Sequence, residues 1–471
     1  MRYVSTRGEA PTLDFVEVML AGLARDGGLY VPETWPSVMK ETIAGLAGRP
    51  YAEVAVEVMR PFVGDSIAEA DLARMAREAY GTFRHPATAP LVQLGDNLFV
   101  LELFHGPTLA FKDLAMQLVA RLMDHVLRAR GERTTIVVAT SGDTGGAAVE
   151  AFRGRSQVDV VVLYPHGRIS DVQRRMMTSA PDNNVHALAI EGNFDDCQAL
   201  VKAMFNHHAF RDQVRLSGVN SINWARVLAQ VVYYFTAAVA LGSPHRKVAF
   251  TVPTGNFGDV YAGYVASRMG LPIDRLVVAT NVNDILVRTL ATGDYEIRDV
   301  MATTSPSMDI QISSNFERLL FETCGRDAKT VRALMGSLAQ SRRFTVPPQA
   351  LKQMRALFTA DRASEQESAA TIRAWMKEAG YCADPHTAVA LAVAEKEARD
   401  PAVPMVVLST AHPAKFPDAV AAACGVRPGL PDWLADLPGR PERFTVLPAD
   451  QGQIEKFVLS ASRAAREGAA A

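Results

Sequence analysis

One lysine in this sequence stands where its chemistry could be unusual. Lys112 follows a Gly-Pro-Thr turn at 106–108 and precedes apolar residues that recur at helical spacing, so we place it where a loop enters a helix. Its neighbours Leu109, Phe111 and Leu114 are apolar. Burial among them would favour the neutral amine, the form that attacks a carbonyl carbon to make a Schiff base. A surface lysine whose stem lies along an apolar face would show the same local pattern.

Two glycine-rich segments that follow predicted strands could bind anions. In Thr-Ser-Gly-Asp-Thr-Gly-Gly (140–146), Ser141 and Thr144 add hydroxyl donors to the free N–H groups of a helix start, which suits a carboxylate. In Pro-Thr-Gly-Asn-Phe-Gly-Asp (253–259), the backbone can close around a phosphate. A capped helix and an ordinary strand-to-helix turn, each without a ligand, are the alternatives.

The glycine spacing argues against a nucleotide as the phosphorylated ligand. The second loop lacks the Lys-Ser/Thr pair of a P-loop, and neither loop has Gly-x-Gly-x-x-Gly spacing with an acidic residue about twenty positions on. A phosphorylated cofactor of another kind is therefore favoured.

Two further segments carry polar side chains in suggestive places. A strand ends at Ser409 and Thr410, and a hydroxyl there could donate to a ring nitrogen. Segment 220–226 opens a long helix with Asn220, Ser221 and Arg226. It could be a second anion site, or a helix cap beside a surface charge.

The elements that must position these residues are predicted to be alternating strands and helices. Short β-branched runs, most of them followed by a helical segment, indicate buried and largely parallel strands at 135–139, 158–163, 185–190, 248–252, 276–279 and 405–408. In such sheets ligands lie beyond the carboxyl ends of the strands, which is where both glycine loops stand. Two later helices are predicted at 364–380 and 385–398.

The chain divides into three predicted regions. Residues 1–90 carry short helical patterns broken by glycine and proline, which indicates a small, mainly helical N-terminal module. Residues 91–430 form the α/β region, which we expect to contain two subdomains. Residues 431–471, with repeated Arg-Pro and Leu-Pro pairs, are predicted to be a peripheral C-terminal extension.

The composition excludes several classes of protein. The 471 residues are 48% hydrophobic and 21% charged, and the net charge of −2 argues against a nucleic-acid scaffold or a polybasic membrane binder. The N-terminus has no apolar signal core, and the longest apolar run, 231–241, is too short to span a bilayer. The four cysteines show no metal or redox spacing. We therefore expect a soluble cytoplasmic protein, monomer or homodimer, that binds no metal, nucleic acid or membrane and acts on a small molecule.

Taken together, the motifs resemble those of the fold-type II pyridoxal-phosphate enzymes and, within that group, of the threonine synthase family. The segments that carry the resemblance are 104–113, 140–145, 220–223, 253–259 and 410–416. Segments 5–8 and 26–32 are similar to the long form found in many bacteria and fungi. The resemblance implies a tryptophan synthase β-like fold and pyridoxal 5′-phosphate as cofactor. The implied reaction converts O-phospho-L-homoserine and water to L-threonine and phosphate by γ-elimination and β-addition of water.

The resemblance also implies a role for each motif residue. Lys112 would carry the cofactor covalently and move protons on the substrate, and Thr410 would meet the pyridine nitrogen. The cofactor phosphate would be held by N–H groups of the loop residues Gly255, Asn256, Phe257, Gly258 and Asp259. The substrate carboxylate and the cofactor 3′-oxygen would face Ser141, Asp143 and Thr144. The leaving phosphate would be held by Asn220, Ser221 and Arg226.

Asp143 departs from the wider fold-type group, much of which has asparagine at this position. An acid must be protonated to donate a hydrogen bond to the 3′-oxygen, or it must play another role.

Three other interpretations remain open. A serine or threonine dehydratase or a β-replacement synthase of the same fold would not account for the N-terminal module and segment 220–226. A catalytically silent relative that binds phosphorylated ligands would not require Lys112. A nicotinamide-dependent enzyme would need the glycine fingerprint that this chain lacks.

Overall fold

A computed structural model describes residues 1–398 and 400–468. Its strands are β1 (Tyr3–Ser5), β2 (Tyr30–Pro32), β3 (Leu91–Gly95), β4 (Leu98–Glu102), β5 (Thr134–Ala139), β6 (Val158–Pro165), β7 (Val185–Glu191), β8 (Leu216–Ser217), β9 (Val248–Pro253), β10 (Ile273–Thr280), β11 (Asp294–Glu296), β12 (Arg343–Thr345), β13 (Phe358–Arg362), β14 (Met405–Ser409) and β15 (Thr445–Pro448).

The helices of the described residues are α1 (Phe15–Ala21), α2 (Lys40–Ala44), α3 (Tyr51–Val63), α4 (Glu69–Tyr80), α5 (Lys112–Arg130), α6 (Asp143–Phe152), α7 (Asp171–Thr178), α8 (Phe194–Asn206), α9 (His208–Gln213), α10 (Trp224–Ala240), α11 (Gly258–Arg268), α12 (Ile285–Thr292), α13 (Phe316–Thr323), α14 (Ala328–Ser341), α15 (Pro348–Arg355), α16 (Glu365–Ala379), α17 (Pro385–Lys396), α18 (Pro417–Cys424), α19 (Gln451–Ala461) and α20 (Arg463–Gly468).

Two parallel-rich sheets carry the fold. The six-stranded sheet has the order β13-β10-β9-β14-β4-β3, with only β3 antiparallel to its neighbour. The five-stranded sheet has the order β15-β7-β6-β5-β8 and is parallel throughout. All six predicted strand runs lie inside these sheets, because apolar β-branched residues suit strands that are buried on both faces. The predicted α/β fold class is confirmed.

Helix α10 is the buried axis of the molecule. Apart from Thr236 and Ala240 it is buried along its length, and it packs against α3, α5 and α11. The apolar run at 231–241 therefore belongs to a core helix that is apolar all around. Among residues 1–398 and 400–468, no helix is both long and apolar enough to cross a membrane.

The N-terminal module is tied to the rest of the chain by side chains. It contains helices α1 to α4 and the antiparallel pair β1–β2. Asn223 Nδ2 donates to the Met19 carbonyl over 2.9 Å, and Thr6 Oγ1 donates to Glu317 Oε1 over 2.6 Å. These contacts fix the module against the start of α10 and against α13.

The chain end, predicted to be a peripheral extension, adds an edge strand and a helix beside the five-stranded sheet. Strand β15 extends the five-stranded sheet by pairing in parallel with β7. Ile454 and Val458 on α19 are fully buried in the hydrophobic cluster beside α8. Their spacing puts them on one helix face, so they cover apolar side chains that the sheet would otherwise expose. Residues 469–471 of the predicted extension lie outside the described residues.

Candidate active site

One cavity brings together all of the predicted site residues. It lies at the carboxyl ends of β4, β5, β9 and β14, where parallel sheets place ligand sites. The predicted residues in its wall are Lys112, Ser141, Asp143, Thr144, Asn220, Ser221, Arg226, Gly255, Asn256, Phe257, Gly258, Asp259 and Thr410.

Lys112 is the first residue of α5, and its side chain is 11% exposed. The preceding turn is held by Asp113, which accepts from the Thr108 N–H over 2.8 Å and from Thr108 Oγ1 over 2.7 Å. Lys112 Nζ lies 3.6 Å from Asp143 Oδ2. Burial lowers the pKa of Lys112; Asp143 opposes this shift, whereas Lys415 and Arg226 reinforce it. The Lys112 amine therefore loses its proton more readily than that of an exposed lysine, and its neutral form is the nucleophile.

Asp143 is shared between two lysines. Its Oδ1 lies 2.7 Å from Lys415 Nζ and accepts from Gln173 Nε2 over 2.9 Å. Burial would raise the pKa of Asp143, but Lys415 and Lys112 together hold it well below its usual range. Asp143 is therefore a carboxylate that only accepts hydrogen bonds. Of the two roles left open for it by the sequence, donation to a 3′-oxygen does not fit.

The loop between β9 and α11 offers several free backbone donors. Within the described residues, the N–H groups of Gly255, Asn256, Phe257 and Gly258 have no hydrogen-bond acceptor, and the helix start has no side-chain cap. Asn315 fixes the loop from behind, because its N–H and its Nδ2 donate to the Asn256 carbonyl over 3.0 and 2.9 Å. Unpaired amides at a helix start form an anion site that a phosphate would fill.

Asp259 differs from the rest of this loop in the direction of its side chain. Its Oδ1 accepts from Tyr233 over 2.5 Å and from Tyr234 over 3.1 Å, while its buried Oδ2 has no partner within the described residues. Burial raises the pKa of Asp259 to about 6, although the two tyrosines and Lys112 act against this. The carboxyl is thus anchored to α10, and only the backbone of Asp259 belongs to the loop cradle.

Arg226 is a buried cation without a carboxylate partner in the described part of the chain. Its Nη1 donates to the Val219 carbonyl over 2.9 Å, whereas its buried Nε has no partner there. Burial lowers the pKa of Arg226 to about 10, so the group is still charged at neutral pH. It shares the cavity wall with Asn220 and Ser221. These three residues form a second place where an anion could be bound.

Thr410 follows β14 and lines the cavity. Its carbonyl accepts from the Phe111 N–H over 2.8 Å, which fixes it beside the residue before Lys112. The neighbouring Ser409 hydroxyl is already 2.9 Å from Thr387 Oγ1. Thr410 is therefore the hydroxyl left to meet a ligand.

Sequence reasoning missed four residues of the site. Gln173 holds Asp143, Lys415 pairs with it, and Gln230 and His386 line the cavity wall. Gln230 Oε1 is buried without a partner in the described residues. Lys415 stood inside a quoted motif and Gln230 stands one helical turn after Arg226, so spacing on α10 could have indicated Gln230.

The chemistry of these groups fits pyridoxal phosphate. A buried amine suits an aldehyde, the unpaired amides at the start of α11 suit a phosphate, and the Thr410 hydroxyl suits a pyridine nitrogen. A family model described as "Pyridoxal-phosphate dependent enzyme" matches residues 80–410. The fold and the site thus define a fold-type II pyridoxal-phosphate enzyme.

The relatives narrow this class. Models described as "Threonine synthase N terminus" and "Threonine synthase, C-terminal" match residues 2–80 and 387–458. The threonine synthase of Pseudomonas aeruginosa is 54% identical over 459 residues, which cover 97% of this chain and 98% of that protein. The chain belongs to the threonine synthase family.

Solved structures agree with this assignment. The crystal structure of pyridoxal-phosphate-bound threonine synthase from Brucella melitensis is 63% identical, with a TM-score of 0.95, over 98% of this chain and 100% of that chain. The threonine synthase structure from yeast is 40% identical, with a TM-score of 0.92, over 98% of each chain. The predicted fold and cofactor are confirmed.

Proposed function

We propose that this member of the family converts O-phospho-L-homoserine and water to L-threonine and inorganic phosphate. The observation that carries the proposal is the presence of two separate anion sites in one cavity. The free amides of the 255–258 loop serve the cofactor phosphate, and the uncompensated Arg226 guanidinium serves a second phosphate, that of the substrate. A dehydratase acting on serine or threonine would have no use for the second site.

The cofactor, when bound, supplies an electron sink for carbanions formed on the substrate. Lys112 is the group that holds it, and its neutral amine can take the proton from Cα and return protons along the carbon chain. Asp143 keeps that amine oriented from 3.6 Å. The amine therefore stays beside the carbons at which protons must move.

The polar walls of the cavity orient the substrate. Ser141 and Thr144, at the start of α6, present hydroxyls to the substrate carboxylate. Asn220, Ser221 and Arg226 hold the γ-phosphate, so that negative charge is compensated when the bond between Cγ and the ester oxygen breaks. In the net reaction Cβ loses one proton and gains the hydroxyl of water, while Cγ loses the phosphate and gains one proton. Cα regains the proton that it lost, and the other proton of water leaves with the phosphate, so the reaction balances.

The experiment is an assay of the purified protein loaded with pyridoxal phosphate. O-Phospho-L-homoserine should yield phosphate and threonine in equal amounts, whereas L-serine and L-threonine should yield little keto acid. Keto acid as the main product would favour the dehydratase alternative. Full cofactor occupancy with no turnover of any of these substrates would favour the silent relative.

We further propose the cytoplasm as its compartment and a monomer or homodimer as its state. All four cysteines are free thiols, which suits a reducing environment. We also keep 1–90, 91–430 and 431–471 as proposed regions. Light scattering on the purified protein would give the mass in solution, and a mass above a dimer would contradict the second proposal.

A further inference from the structure

Lys415 is a buried lysine outside the set of residues that bind the cofactor or the substrate. It ends the short 3-10 turn Pro413–Lys415 after β14, and its side chain is 1% exposed. Its Nζ lies 2.7 Å from Asp143 Oδ1 and donates to the Thr108 carbonyl over 2.8 Å. Its Nζ therefore has two buried oxygen partners, one of which is a carboxylate.

The two lysines contact different oxygens of one carboxylate. Lys415 and Gln173 take Oδ1 at 2.7 and 2.9 Å, whereas Lys112 stands 3.6 Å from Oδ2. The shorter contact places the counter-charge of Asp143 on Lys415. Lys112 is left with an oriented but weaker contact.

This division matters because an ammonium ion is not a nucleophile. If Lys112 were the only cation beside a buried carboxylate, the pair would hold its proton in place. A second lysine that pairs with the carboxylate compensates its charge, so Lys112 does not have to stay protonated to do so.

We propose that Lys415 is a positioning residue that acts through Asp143. It fixes the carboxylate by one oxygen and compensates its charge, so that the other oxygen can orient the Lys112 amine without retaining it as an ion pair. The proposal rests on the proposed function only in taking Lys112 as the residue that holds the cofactor.

Other charged groups face the two lysines. Lys112 is faced by Asp143 from α6, by Arg226 from α10 and by Asp259 from α11, in addition to Lys415. Lys415 also interacts electrostatically with Asp113 and His412. The latter two stay in place in the variants below, so the change at Lys112 reports on the Asp143–Lys415 pair.

The test measures the pKa of the Lys112 amine in the full-length chain freed of cofactor. The extent of acetylation of Lys112 is followed by mass spectrometry between pH 6 and 10. This range is wide enough to detect the pKa shifts of about 1–3 units that a neighbouring charge produces. Lys415→Met should raise the midpoint by about one unit or more, because it removes a cation. Asp143→Asn should lower it, and adding Lys415→Met to that variant should shift the midpoint by less than it does in the wild type, because the carboxylate through which Lys415 acts is then absent. Lys352→Met, at an exposed lysine on α15, is the matched control and should leave it unchanged.

The proposal is overturned if Lys415→Met moves the midpoint by less than about 0.3 unit, or if the two single variants move it in the same direction. Uptake of added pyridoxal phosphate shows which variants are folded. If Lys415→Met alone takes up none, the comparison of Asp143→Asn with the double variant decides. A rise of about one unit or more between these two variants would mean that Lys415 acts on Lys112 directly and would contradict the proposal, whereas a much smaller rise supports it. Because no turnover is measured, this outcome is separate from the fate of the proposed reaction.

Discussion

At the residue scale, the site is an arrangement of buried charges that are only partly compensated. Arg226 has no carboxylate partner in the described residues, and Lys112 shares one carboxylate with Lys415. Such groups cost free energy in the folded chain unless a ligand completes them. Binding of the anionic substrate and cofactor offsets this free-energy cost.

Arg226→Met should remove the partner of the substrate phosphate while keeping a similar apolar stem. We expect kcat/KM for O-phospho-L-homoserine to fall, because a desolvated charge pair is lost. The decrease should correspond to a loss of about 2–4 kcal/mol of transition-state binding free energy. Steady-state kinetics with Arg268→Met as control, an exposed arginine on α11, would measure it. A decrease of less than about threefold would make Arg226 structural instead.

Thr410→Val keeps the shape of the side chain and removes its donor. If the hydroxyl donates to an unprotonated ring nitrogen, kcat should fall about tenfold, which corresponds to the loss of roughly one hydrogen bond. The affinity for the cofactor should change little, because the 255–258 loop still binds its phosphate. Ser409→Ala is the matched control, because that hydroxyl is bound to Thr387. Nitrogen NMR of ring-labelled cofactor in the wild type should show a neutral nitrogen; a pyridinium signal would contradict this account.

Sequence reasoning found the residues of the site but not the pairs they form. Lys112 could be singled out because its apolar neighbours and the turn before it are local in the chain. The contact between Asp143 and Lys415 could not be predicted in this way. Asp143 follows a strand of the five-stranded sheet, Lys415 follows a strand of the six-stranded sheet, and no periodic pattern links them. The ionised state of Asp143 follows from that contact, so it also had to come from the structure.

At the element scale, the phosphate cradle depends on how closely a second loop approaches it. A Cβ added at Gly255 would lie 2.5 Å from the Ser307 carbonyl oxygen, so no larger residue fits without movement of the backbone. The Ser313 hydroxyl holds the Gly255 carbonyl from 2.7 Å. The loop is therefore set by packing on both sides as well as by the start of α11.

Gly255→Ala should displace this loop and weaken cofactor binding. Overpacking costs about 1–3 kcal/mol, which corresponds to a rise in the cofactor Kd of roughly five- to 150-fold. Titration of the cofactor-free protein would measure it. Gly336→Ala is the control, because a Cβ there meets nothing within 4 Å, and it should leave the Kd unchanged. Equal Kd values for both variants would show that the loop adapts freely.

The strands that sequence reasoning identified are those with continuous apolar β-branched runs. It did not identify β3, β13 or β15, whose residues are partly exposed and include Gln93, Asp361 and Pro448. These three strands lie at sheet edges, where one side has no neighbouring strand and an apolar run is not required. Sequence reasoning also did not identify the short edge strand β8, or β4, which is apolar and lies between β14 and β3.

At the scale of the whole molecule, the N-terminal module lines one side of a cleft that adjoins the site. A cleft of about 510 Å³ lies between the module and α8, and it shares Asn220, Ser221 and Asn256 with the site cavity. Glu317 on α13 holds the module in this position. It accepts from Thr6 over 2.6 Å and from Arg7 over 3.1 and 3.0 Å.

Glu317→Ala should loosen the module. Its carboxylate is 8% exposed and Arg7 is 28% exposed, so the loss leaves a half-buried cation and an unpaired hydroxyl, and should cost about 2–3 kcal/mol of unfolding free energy. Urea unfolding would measure this cost. Glu53→Ala, which breaks an exposed pair with Arg49, is the control and should change the unfolding free energy by less than about 0.5 kcal/mol. Equal effects of the two variants would mean that Glu317 does not hold the module.

This tie joins residues about three hundred positions apart, which no local sequence pattern reveals. The module itself could be expected from its interrupted helical patterns, whereas its position against α10 and α13 had to come from the structure.

The most direct test of the central claim is to find which lysine holds the cofactor. The holoenzyme is treated with borohydride, digested, and its peptides are mapped by mass spectrometry. Two buried lysines flank Asp143, so the outcome is informative. We predict the pyridoxyl group on Lys112 alone, and none in a Lys112→Ala variant that retains its fold by circular dichroism. A label on Lys415 or on any other lysine would contradict the account.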